Sequence, residues 1–78
     1  MENTVDMIDP HERLANAIIL QAVQDYRKAV RRLKKYPYDH AARGTRTSVL
    51  HFFRSDWFKM LTNIDGESLI KKLNEEVE

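Results

Sequence analysis

The stretch Asp9–Tyr38, DPHERLANAIILQAVQDYRKAVRRLKKYPY, decides the fold. Asp9 can cap a helix, Pro10 suits the first helical position, and Glu12 stands three residues after the cap, which together make a capping box with an N1 proline. No breaker follows until Tyr36-Pro37-Tyr38, where the proline pushes Tyr36 out of the α region. A helix of about 26 residues results, roughly 39 Å long at 1.5 Å per residue. That is longer than a small domain is wide, so part of it should project or lie against a second subunit.

The two halves of this helix differ. In the second, Tyr26, Ala29, Val30 and Leu33 form one narrow apolar stripe, while Arg27, Lys28, Arg31, Arg32, Lys34 and Lys35 cover the rest. In the first, Leu14, Ala15, Ala17, Ile18, Ile19, Leu20, Ala22 and Val23 are spread almost all round, and Leu20 lies well away from the Tyr26/Val30 stripe. That end is either central to the fold or shared with another chain.

Working outward, residues 1–8 have little periodicity and read as a flexible lead-in, with Val5, Met7 and Ile8 able to fold back as a staple. Tyr36 to Gly44 reads as a connection with one helical turn over Asp39–Arg43 that Gly44 closes. A second helical pattern begins near Thr45 or Thr47, with Val49, Leu50, Phe53, Trp57, Met60 and Leu61 at helical spacing. Ser55-Asp56 can restart the helix as a cap, so one kinked helix and two short ones both fit. Asp65 caps a last helix with Leu69, Ile70, Leu73 and Val77 on its apolar face, and its acidic end, opposed to the helix dipole, should fray.

A chain of 78 residues holds one domain, here residues 9–78, and is marginal in size. With no cysteine and no zinc-ligand spacing it has no staple, so helix packing or self-association must supply the stability. The first ten residues carry Glu2, Asp6 and Asp9 and no cation, the wrong charge for a signal peptide, and no apolar run approaches the roughly 18 residues of a membrane span. A soluble, cytoplasmic protein that does not engage membranes is expected.

The net charge of +1 conceals a segregation. Five acids against one base give −4 over residues 1–26, ten bases against two acids give +8 over 27–59, and two bases against five acids give −3 over 60–78. The middle of the chain is strongly basic.

Catalytic and cofactor signatures fail one by one. Asn63-Ile64-Asp65-Gly66 falls out of calcium-loop register, because Leu61 and Lys72 would occupy the terminal ligand positions. His11, His40 and His51 lack metal-ligand spacing, two glycines cannot cradle a phosphate, and Ser48, Ser55 and Ser68 have no nucleophile elbow. The expectation is a non-enzyme without metal or cofactor.

Two features remain. Arg27, Lys28, Arg31, Arg32, Lys34 and Lys35 make a broad cationic face, which Arg43, Arg46 and Arg54 extend if the second helix packs alongside. Such a face can neutralise phosphates, though cations also suit the last turns of any helix. Four aromatics in seven residues, Phe52-Phe53-Arg54-Ser55-Asp56-Trp57-Phe58, supply the other. Phe53 and Trp57, four apart, suit a core; Phe52 and Phe58 are harder to bury on the same face and are the better contact candidates, with Leu20 and Trp57 completing the set for a protein interface.

The runs Leu14-Ala15-Asn16-Ala17-Ile18-Ile19-Leu20-Gln21-Ala22-Val23, Asp25-Tyr26-Arg27-Lys28-Ala29, Phe52-Phe53-Arg54-Ser55-Asp56-Trp57-Phe58 and Leu61-Thr62-Asn63-Ile64-Asp65-Gly66-Glu67 resemble small uncharacterised helical proteins carried by phages and integrative mobile elements of Gram-positive bacteria. The resemblance covers most of the chain and implies a genomic setting, in which small proteins act by binding, and no catalytic residue.

The sequence thus predicts an all-α bundle of three to four helices with a long first helix. The leading function is a nucleic-acid-binding or DNA-associated accessory protein using the basic face. The alternative is a protein-interaction module, such as an inhibitor of a host defence or regulatory protein. A homodimer through the Leu14–Val23 half is a further expectation.

Overall fold

The computed structural model describes residues 10–77 and contains four helices and no strand among them: α1 (Pro10–Lys35), α2 (His40–Phe53), α3 (Asp56–Leu61) and α4 (Gly66–Glu75). The all-α bundle with a long first helix is what the pattern predicts. The lead-in and the Asp9 cap lie outside the described residues.

Each later helix starts on a side-chain cap. Asp39 accepts from the Ala42 amide at 2.9 Å, Ser55 from the Phe58 amide at 3.1 Å, and Asp65 from the Ser68 amide at 3.1 Å. These bonds satisfy amides that have no partner within the helix. The Asp39 cap revises the connection expected before Thr45: α2 begins at His40, and Gly44 sits inside it. Burial of Ala42 with Ala29 and Leu33 outweighs the glycine's poor helix propensity.

The core forms where α2 and α4 close over the middle of α1. Tyr26, Val49, Phe53, Phe58, Ile70 and Leu73 are buried together, with Ile19, Val23, Val30 and Leu69 packed against them. The Tyr26 hydroxyl donates to Asn74 Oδ1 at 2.5 Å, so its one polar atom leaves the core satisfied. Gly66 lets α4 start directly under the end of α2, since a Cβ there would stand 2.1 Å from the Phe53 carbonyl oxygen.

The acidic end of α4, where fraying is expected, is met by cations of α1. Arg27 donates from Nε and Nη2 to the two Glu76 carboxylate oxygens, both at 2.8 Å, and Lys34 donates to the Val77 carbonyl. Cations from α1 thus meet the unsatisfied end of α4 and complement its dipole. The molecule measures 50 × 28 × 21 Å, the long axis reflecting α1.

Candidate interaction surfaces

The cations expected to form one face are divided and largely engaged. Besides Arg27 with Glu76, Arg32 Nε donates to Asp39 Oδ2 at 2.8 Å, and its guanidinium lies 4.5 Å from the Tyr36 ring centroid. Arg54 donates to both Glu67 oxygens, at 2.7 and 3.3 Å. These bonds raise the guanidinium pKa values of Arg27, Arg32 and Arg54. The carboxyl of Asp39 is held below the ordinary range, first by the Ala42 amide and then by Arg32, and that of Glu76 by Arg27.

Position divides the set further. Lys28 and Arg32 border a recess where α1 meets Ala41, Ala42 and Thr45 of α2. Arg46 and Arg54 border the opposite flank, a cleft floored by Tyr26 and Val30. Tyr26 and Val30 stand about 130° round α1 from Asp25, Lys28, Ala29 and Arg32 at 100° per residue. Arg46 and Arg54 therefore do not extend the α1 row. What continues on α1 is a line of exposed cations, Lys28, Arg31 and Lys35, none bonded to a carboxylate among the described residues.

Ser55 settles the aromatic cluster. On an unbroken helix Phe53 and Trp57 would share a face, but the Ser55 cap ends one helix and starts another, which resets the register. Phe53 and Phe58 become the two largest fully buried side chains, with ring centroids 5.6 Å apart, edge to face. Phe52 is half-buried and Trp57 is 55% exposed. The structure thus corrects Phe58, which is core rather than contact surface, and of the two readings of Trp57, core and contact surface, it places the side chain at the surface.

Trp57 does not stand alone. Leu14, 62% exposed, and Met60, 84% exposed, flank it across a groove of about 330 Å³ that also takes in Ile18 and Leu61. A second groove of about 500 Å³ continues on the other side of Ile18 and Trp57, between Ala17, Ala22, Val49 and Phe52. The result is one apolar strip along α1 and α3 with Ile18 and Trp57 at its middle. Its polar edges are His11 and Glu12 at one end and Gln21, Asp25 and Ser48 at the other.

Leu20 is exposed too but lies about 120–160° round α1 from Leu14 and Ile18, and it borders neither groove. The sequence pattern names Leu14 and Met60 but does not bring them together, because their meeting depends on the helix break. The signal was present in Ser55-Asp56, read as a cap.

The cleft between α1, α2 and α4, about 860 Å³, carries Arg46, Thr47, His51 and Ser55. Its Ser55 hydroxyl donates to the Phe52 carbonyl and accepts from the Phe58 amide, so it serves the helix break. Among the described residues no group of three or more His, Asp or Glu side chains is placed to share a metal ion, and no helix is long and apolar enough to cross a membrane. Comparison with protein-family models, with curated proteins and with solved structures returns no match.

Proposed function

We propose that the chain is a protein-interaction module whose working surface is the apolar strip on α1 and α3. The observation that carries this reading is Trp57, held in the open at the middle of a continuous apolar groove. An amphipathic helix is the partner element such a groove fits, seating apolar residues at helical spacing on either side of the indole. Aromatic side chains in this setting dominate binding energy at interfaces.

Capture from a Gram-positive bacterial lysate tests it. A bound protein should persist after nuclease, be lost with Trp57→Ala, and survive Lys28→Glu with Arg31→Glu. Capture that depends on nucleic acid and on those cations, and is indifferent to Trp57, would overturn the reading.

A second reading, nucleic-acid binding, is favoured by the line of Lys28, Arg31 and Lys35 on the outer side of α1. Three phosphate contacts would give a shallow salt dependence, a log–log slope of roughly −3 on duplex DNA. The same duplex titration with Lys28→Glu and Arg31→Glu should lose that slope; binding that ignores salt removes this reading.

A further inference from the structure

We propose that the row of Lys28, Arg31 and Lys35 and the turn at its end form a binding edge for single-stranded nucleic acid, with Tyr38 as the surface on which an unpaired base stacks. The inference rests on reading that row as phosphate-facing, and it is independent of the apolar strip.

The turn lies where the chain leaves α1. The Asp39 amide donates to the Tyr36 carbonyl at 3.1 Å, and Pro37 stands second in the turn, where its fixed φ suits the geometry. Both flanks are tied down. The Tyr36 amide donates to the Arg32 carbonyl at 2.7 Å, Arg32 Nε donates to Asp39 Oδ2 at 2.8 Å, and Asp39 Oδ1 accepts from the Ala42 amide. The Arg32 guanidinium lies over the Tyr36 ring. A turn fastened to α1 and α2 at once holds its tip in one place.

That tip is Tyr38, 82% exposed. Its side chain has no hydrogen-bonded or stacked partner among the described residues, so it adds almost nothing to the fold. Tyr36 beside it is half exposed. An aromatic ring held in the open on a fixed turn is preorganised for a ligand, because little freedom remains to be lost when it is covered.

The neighbours select the ligand. Lys35 Nζ stands 5.8 Å from the Tyr36 ring centroid, which brings the last cation of the row to the turn. The row runs about 10 Å along α1, with Arg31 within about 60° of both lysines round the helix axis. These tyrosines are therefore edged by cations, whereas Trp57 is edged by Leu14, Ile18 and Met60. Asp39, the carboxylate of the turn, is taken up by Arg32 and the Ala42 amide. A partner that meets a line of cations and then an open aromatic face must carry anionic groups and flat π faces together, as a nucleic-acid chain does. In a duplex the base faces are closed against one another. Only an unpaired strand offers one to Tyr38.

Fluorescence anisotropy of the intact chain with labelled dT and rU strands of about 12 residues, and with a duplex of the same length, tests the edge. The dT and rU arms separate DNA from RNA as the source of the strand. Single strands should bind more tightly than the duplex, with a log–log salt slope of roughly −2 for three phosphate contacts. Tyr38→Ala should weaken single-strand binding by about 10-fold and leave the duplex, and heparin as a polyanion without bases, unchanged. Tyr38→Phe keeps the ring and should bind as the unaltered chain does. An unchanged melting temperature of Tyr38→Ala shows that the fold is intact.

A duplex bound more tightly than either strand overturns the proposal, as does a single-strand affinity that Tyr38→Ala leaves unchanged or lowers no more than it lowers heparin binding. Its failure is distinguishable from that of the phosphate reading. Salt-dependent duplex binding that needs Lys28 and Arg31 but ignores Tyr38 refutes the stacking edge alone. Binding to none of the three polyanions refutes both.

Discussion

The two halves of α1 invert the simple expectation about burial. The N-terminal half is the more apolar, yet it leaves Leu14 and Leu20 more than half exposed; the C-terminal half, crowded with cations, buries Tyr26, Ala29 and Leu33. The difference lies in what packs against each. α2 and α4 close on the C-terminal half, with the Ala29/Leu33/Ala42 contact and the Tyr26 cluster beneath them. α3, only six residues long, meets the other half. Hydrophobicity marks a surface for covering, and topology decides whether this chain covers it.

Trp57 and Phe58 are neighbours on α3 that fall on opposite sides of that divide, so they break the comparison most sharply. Phe58→Ala removes a fully buried ring packed against both Phe52 and Phe53 and should cost about 3–5 kcal/mol. For a domain this small, urea denaturation should show most of the folded signal gone at low denaturant. Trp57→Ala should shift the same midpoint little in dilute protein, about 0.5 kcal/mol, as for an ordinary surface exchange. Equal losses at the two positions would mean that the Ser55 register is wrong.

The two glycines sharpen the contrast at smaller scale. At Gly66 an added methyl would meet the Phe53 carbonyl oxygen at 2.1 Å, a backbone atom that cannot swing aside, so Gly66→Ala must push α4 off the core. A loss of roughly 1–3 kcal/mol is expected. Gly44, inside α2, has nothing within 4 Å of its would-be Cβ. Gly44→Ala should therefore stabilise by about 0.5–1 kcal/mol, read as a higher melting temperature. Opposite signs at the two positions are the test.

These positions also show where the sequence was legible. The α1 limits at Pro10 and Lys35, the caps at Ser55 and Asp65, and the Tyr26/Ala29/Leu33 stripe all follow from local rules that act over four residues or fewer. Gly66 and Gly44 look alike in a list of turn residues, because only the distance to Phe53, thirteen positions away, separates them. The same holds for the candidate surfaces. Trp57 was singled out from composition, but its exposure and its meeting with Leu14 depend on how α3 crosses α1. The charge map revealed an excess of cations and could not reveal that Arg27, Arg32 and Arg54 would find Glu76, Asp39 and Glu67.

Those pairings set the smallest expected effect, a pH dependence confined to the well-packed half. The carboxyls of Asp39 and Glu76 titrate below their ordinary values in the folded chain, Asp39 chiefly through the Ala42 amide and Glu76 through Arg27. A group whose folded value is depressed stabilises the fold above its unfolded value, about 4 for these carboxyls, and loses that contribution as the pH falls through the folded value. Melting temperature should thus hold steady down to about pH 5 and decline below it. Because the pairs are solvent-exposed, added salt should mute the decline. Asp39→Asn keeps a capping oxygen while removing the charge, and combined with Glu76→Gln it should flatten the acid limb of the curve. An acid limb just as steep in the double variant would place the linkage on other carboxyls and leave the Arg27 and Arg32 pairs without a measurable part in holding α1 to its neighbours.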